Sequence, residues 1–152
     1  MIFAANFKTN HTRKSTKAYL ETLSRKTAAK KPEDQIYIFT PATALDRIEG
    51  DFTIGAQNAY TAQNGAYTGE IGLEQLEEFE IKTILIGHSE RRELLGETQE
   101  SVAQKFSFFK EHGFEIIYCI GEPLEVRQKG EEAVNSYLLA QFEGIDTDYE
   151  NF

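Results

Sequence analysis

Two short stretches carry the residue types that do chemistry. Near the start, "AANFKTN" puts Asn6 and Lys8 two positions apart at the end of an apolar run. In the middle, "TILIGHSERR", Thr83 to Arg92, closes a run of aliphatics with Gly87 and continues as His88, Ser89, Glu90, Arg91 and Arg92. If Asn6 and Lys8 both end a strand, its two-residue period puts their side chains on one side. An amide and a cation together there suit a small oxygen-rich anion. His88 precedes a segment able to form a short helix with Ser89 as its cap. The positive end of that helix disfavours an imidazolium, so His88 would donate a hydrogen bond to a carbonyl or enediolate. Each residue also has an ordinary reading: Lys8 as a surface lysine and His88 as a satisfied core histidine. Glu90 is a base, a partner for Lys8, or a plain helix-start carboxylate.

Other reactive side chains point to structural roles. Adjacent arginines on a helix diverge, so Arg91 and Arg92 are expected to pair with nearby glutamates rather than clamp a phosphate. Cys119 lies in an apolar run with no histidine close in sequence, and reads as a buried structural thiol. His11 and His112 read as surface residues. No H-x-x-x-H or C-x-x-C spacing suggests a metal.

These residues need a scaffold, and the chain has material for one. Its 152 residues fit one domain, residues 1–152. Eleven Phe and seven Tyr supply a sizeable core. Twenty-five acidic residues against sixteen basic ones give a formal charge of −9. Such a surface repels nucleic acid and anionic membrane, so neither is an expected partner. It repels anionic metabolites too, so a site for one must make its own positive field. One cysteine rules out an internal disulfide framework and fits a reducing compartment. The first apolar run meets Lys8 too soon for a signal segment, and nothing approaches the ~18 apolar residues of a membrane span. A cytoplasmic location is expected.

Five strand-like runs alternate with helical patterns. They begin at Ile2, Ile36, Phe52, Thr83 and Phe114. Helices are expected over Arg13–Lys31, after a Thr40 cap and Pro41 to about Glu49, around Leu73, Leu76 and Phe79, from a Thr98 cap to Gly113, and over Glu131–Phe142. The last shows Val134, Tyr137, Leu138 and Gln141 on one stripe. Strands that are continuous apolar runs argue for a parallel sheet covered by helices. A doubly wound sheet and a β/α barrel both remain. The absence of G-x-G-x-x-G and of a P-loop counts against a nucleotide-binding sheet. The polar residues, Asn6, Lys8, Gln57, Asn58 and His88 onward, fall at strand carboxyl ends, where both architectures build sites.

Together, "AANFKTN", "AQNAY", "GAYTGEIG", "LIGHSERR" and "YCIGE" closely resemble the triosephosphate isomerases, in that family's order and spacing. The resemblance implies the parallel (β/α)8 barrel that takes its name from the family, here an incomplete barrel of five βα units. It implies isomerisation of a triose phosphate through an enediolate, with no cofactor and no metal. Asn6 and Lys8 match substrate-contacting positions, with Lys8 neutralising developing charge. His88 matches the neutral electrophile, Ser89 and Glu90 match supporting positions, and Cys119 matches a buried family cysteine. The loop from Tyr60 to Glu70 resembles one that inserts into a neighbouring subunit of a homodimer. There Thr68 would brace Asn6 and Lys8 of the partner subunit, with Asn64-Gly65 supplying the tight turn.

The family pattern continues with a sixth strand bearing "YEP" and its glutamate base, then a lid and glycine-rich phosphate loops. These are absent from the sequence, and a full barrel of this type needs about 250 residues. The 152-residue chain alone is therefore expected to be inactive. The alternative is a non-catalytic barrel remnant that uses the loop around Thr68 as an association module.

Overall fold

The computed structural model covers residues Met1–Phe152. Strands and helices alternate: β1 (Ile2–Asn6), α1 (Arg13–Thr27), β2 (Gln35–Thr40), β3 (Thr53–Ala56), α2 (Leu73–Glu78), β4 (Thr83–Ile86), α3 (Ser89–Leu95), α4 (Gln99–Glu111), β5 (Glu115–Tyr118), α5 (Leu124–Arg127) and α6 (Glu131–Ala140). The strands follow one another in a single sheet, β1-β2-β3-β4-β5. The registered pairs are parallel, with Ile2–Asn6 opposite Gln35–Phe39 and Tyr37–Thr40 opposite Thr53–Ala56. A doubly wound sheet reverses its strand order partway. Strictly sequential parallel strands instead belong to a (β/α)8-type barrel, of which five βα units are present.

The chain divides into two compact units, Met1–Ile84 and Leu85–Phe152, with the boundary inside β4. In the first unit Leu20, Ile38, Phe39, Leu73, Leu76 and Ile84 form the buried core. Helix α1 starts at a Thr12 cap that accepts from Ser15 N–H, and Arg25 and Lys26 sit in its last turn, where the dipole favours cations. Strand β3 needs Gly55: a Cβ there would lie 2.4 Å from the Phe39 ring and 3.1 Å from the Thr83 carbonyl.

In the second unit the Thr98 side chain caps α4 by accepting from Ser101 N–H. Val102, Phe106 and Phe109, at i, i+4 and i+7, are buried with Phe114 and Ile116. Gly113, at φ 70°, ends the helix in the left-handed conformation that glycine tolerates best. The outer edge of β5 is partly paired, since Ile116 N–H donates to Asn151 O at 2.8 Å.

Several elements depart from expectation. Thr40 is no cap: it is the buried last residue of β2, and only a three-residue 3-10 turn, Ala42–Ala44, follows Pro41. Phe79 ends α2 and stays 37% exposed, because the helix stops before its turn can face inward. Of the stripe expected on α6, Val134 and Leu138 are half-buried, Tyr137 is exposed and only Gln141 is buried. The short α5, behind Pro123, was not expected.

The α4 core gives a direct test. Phe109→Ala removes a fully buried ring, with an expected loss of about 3–5 kcal/mol in urea unfolding. A loss below about 1 kcal/mol would mean that the surroundings collapse into the space.

Candidate functional site

Within the first unit, Asn6, Lys8 and Gln57 come together through the backbone. Strand β1 ends at Asn6, and Phe7 N–H still bonds Phe39 O at 3.0 Å. The chain then leaves the strand, with Lys8 at φ 52°. Strand alternation therefore does not set the direction of Lys8, contrary to expectation. A side chain in this left-handed region costs about 1–3 kcal/mol unless the surroundings hold it. Two side chains hold this one. Asn6 Oδ1 accepts from Lys8 N–H at 2.9 Å, and Gln57 Nε2 donates to Lys8 O at 3.0 Å and to Phe39 O at 2.9 Å. With its oxygen so used, the Asn6 amide keeps its N–H groups as donors. The result is a cation on a fixed backbone beside an amide donor, which suits an anionic oxygen. Gln57 was legible only as a polar residue ending a strand; its bond to a residue far along the chain leaves no local signal.

Within the second unit, His88 follows β4 and is itself the N-cap of α3. Ser89, expected as the cap, is the first helical residue and is exposed. The imidazole outcompetes the hydroxyl because its Nδ1 reaches Glu90 N–H at 3.3 Å. An Nδ1 that accepts is unprotonated, which places the ring proton on Nε2. The Glu90 carboxylate lies 3.6 Å from the same Nδ1, beyond hydrogen-bond length, so the backbone N–H is the partner. The ring is about one-fifth exposed. It can offer Nε2–H to an oxygen that gains negative charge.

The neighbouring arginines diverge. Arg91 pairs with Glu97 at 3.3 Å, and Lys105 also pairs with that largely buried carboxylate. Arg92 turns to the backbone instead of a glutamate; its Nε donates to Gly87 O at 2.7 Å. Cys119 is half-buried, and its N–H bonds Ile86 O at 2.8 Å, joining β5 to β4. Burial pushes its thiol up from the ordinary value, against a smaller opposing pull from Arg92. His112 is exposed, as expected, but His11 is not a plain surface residue. Its ring stacks on Phe7 at 4.2 Å and leaves Nδ1 buried without a hydrogen-bond partner.

The loop after β3 orders itself. Tyr60 N–H bonds Ile71 O at 2.7 Å, Leu73 N–H bonds Ala62 O at 2.9 Å, and Asn64 Nδ2 bonds Glu74 at 2.7 Å. The Tyr60 and Tyr67 rings lie 4.4 Å apart. Asn64-Gly65 is a bend, not the tight turn. That turn spans Tyr67–Glu70, closed by Glu70 N–H to Tyr67 O at 3.0 Å, with Gly69 at φ 92°. The exposed Thr68 therefore sits at its tip.

Two measurements follow from this geometry. Gln57→Leu should cost about 1–2 kcal/mol in urea unfolding, because the Lys8 carbonyl loses its donor; an unchanged midpoint would show that water replaces it. The Cys119 thiolate absorbance should rise only above the usual thiol range of about 8.5. Titration at or below that range would contradict the burial.

A family model described as triosephosphate isomerase matches residues 1–152. Curated triosephosphate isomerases of a Sulfurovum species and a Nitratiruptor species are 71% and 59% identical, over 99% and 100% of this chain. That of Sulfurimonas denitrificans is 52% identical over 99% of the chain. The chain spans 66%, 65% and 63% of the length of these three relatives.

Proposed function

The chain belongs to the triosephosphate isomerase family, and from that premise we propose that it supplies the cationic and electrophilic parts of an isomerase site. The reaction interconverts glyceraldehyde 3-phosphate and dihydroxyacetone phosphate, in the cytoplasm and as a step of glycolysis and gluconeogenesis. The carrying observation is His88, whose Nδ1 accepts the Glu90 N–H and so leaves Nε2–H as the donor. That donor polarises the substrate carbonyl as a proton leaves the adjacent carbon, and it stabilises the enediolate oxygen more than the ground-state one. Lys8 offsets the accumulating negative charge, and the Asn6 amide binds substrate beside it. Ser89 and Glu90 fix the turn that presents the imidazole. The isomerisation is redox-neutral, so it calls for no cofactor.

The base that takes the carbon-bound proton is assigned to the part of the relatives beyond the matched residues. Turnover is therefore proposed for a protein of their length, and not for the 152-residue chain alone. The self-ordered loop with Thr68 at its tip supports a homodimer in which the loop docks on a second copy.

The test begins with the mass of the protein made by its own gene, followed by an isomerase assay at that length. His88→Gln should lower kcat by about two to four orders of magnitude with KM little changed. A change in KM alone would remove the electrophile role. No turnover by a protein of the relatives' length would leave the Thr68 loop, and association, as the function.

A further inference from the structure

His88 is held on both sides by one residue. The peptide before it ends in the Gly87 carbonyl, and the peptide after it begins with its own carbonyl. Arg92 binds both: Nε donates to Gly87 O at 2.7 Å, and its backbone N–H donates to His88 O at 3.2 Å. The peptide before His88 is thus tied to the Arg92 side chain, and the one after it to the first turn of α3, where Arg91 N–H also donates to His88 O at 2.9 Å.

The rest of the guanidinium is tied as well. Nη1 donates to Gln99 Oε1 at 2.8 Å and Nη2 to the Tyr118 hydroxyl at 3.1 Å. Tyr118 in turn donates to Gln141 O, and Gln99 Nε2 donates to the carbonyls of Gln141 and Glu143, both at 2.8 Å. The fork therefore joins the turn after β4 to the start of α4, to β5 and to the end of α6. Gly87 completes the fit. It sits at φ 79°, and a Cβ there would fall 2.7 Å from Arg92 Nη2. The space that a side chain would take is filled by the cation.

We infer that Arg92 is a positioning residue for His88, acting through the Gly87 carbonyl, an inference that rests on the isomerase reading for its kinetic expression. A planar guanidinium can serve three acceptors at fixed angles, whereas a lysine ammonium is a point charge on a flexible stem. Charge alone does not replace the fork.

Arg92→Lys, made in a protein of the relatives' length, tests this. Expected is a fall in kcat of about ten- to a hundredfold, because misplacement of a catalytic group by about 1 Å has that effect. KM should stay within about twofold, since the altered group acts as charge develops. Arg91→Lys, which keeps a cation for Glu97, should leave kcat unchanged. The second readout needs no turnover: ring-nitrogen NMR of His88 should show one acceptor Nδ1 in the parent and a shifted or divided signal in Arg92→Lys. An unaltered His88 signal overturns the inference even if the protein proves not to be an isomerase. An altered signal without parental turnover supports the positioning and sinks only the isomerase reading. Should Arg92→Lys fail to fold, Tyr118→Phe removes one acceptor and keeps the ring. It should shift the same signal and lower kcat several-fold, and no change in either overturns the inference.

Discussion

Where a parallel strand stops, its last backbone groups have no ladder partner, and an unpaired buried polar group is costly. The rest of the site depends on how this chain meets that constraint. Side chains, not further strand, close the ends. Gln57 serves the Lys8 carbonyl after β1 and adds a second donor to the Phe39 carbonyl near the end of β2. Arg92 serves Gly87 after β4, and the buried Gln141 pairs with both the N–H and the carbonyl of Gly121 after β5. Each bond fixes a short piece of irregular backbone. The pieces held by Gln57 and Arg92 carry Lys8 and His88.

The same constraint sorts the cations of an acidic chain. Lysine suits a position where a point charge meets a ligand, the role proposed for Lys8, whose backbone is pinned at both its N–H and its carbonyl. Arginine suits a position where several fixed acceptors converge, and Arg92 spends its fork on carbonyl, amide and phenol oxygens. Arg91 and Lys105 share the buried Glu97 carboxylate, so both cations are engaged within the fold. A formal charge of −9 is thus compatible with a local positive field at Lys8.

What the sequence disclosed follows the range of each interaction. Continuous apolar runs marked β2, β4 and β5; β4 is buried along its whole length and β2 over its last four residues, as a sheet covered on both faces requires. The Thr98 cap and the Val102–Phe106–Phe109 spacing marked α4, since both act within one or two turns. Thr40 misled because Thr-Pro also fits a strand end followed by an extended proline, here at ψ 148°. Ser89 misled because hydroxyl caps are the common case, whereas here the helix starts one residue earlier and the His88 imidazole accepts from Glu90 N–H. The left-handed Lys8, the bonds of Gln57 and the acceptors of Arg92 join positions that are distant in sequence or set by backbone turn. Nothing in a linear pattern encodes them. The family motifs pointed to Asn6, Lys8 and His88 without showing what holds them.

The loop between β3 and α2 has a consequence of another kind. Its ends are bonded at Tyr60–Ile71 and Ala62–Leu73, its two tyrosine rings pack together, and its tip is a closed turn. The ordering entropy of this segment is therefore charged to the folding of its own chain and not to any later encounter. A surface that receives the loop meets a finished shape. Docking of the loop on another surface would then carry no disorder-to-order step to slow arrival or to be undone on departure.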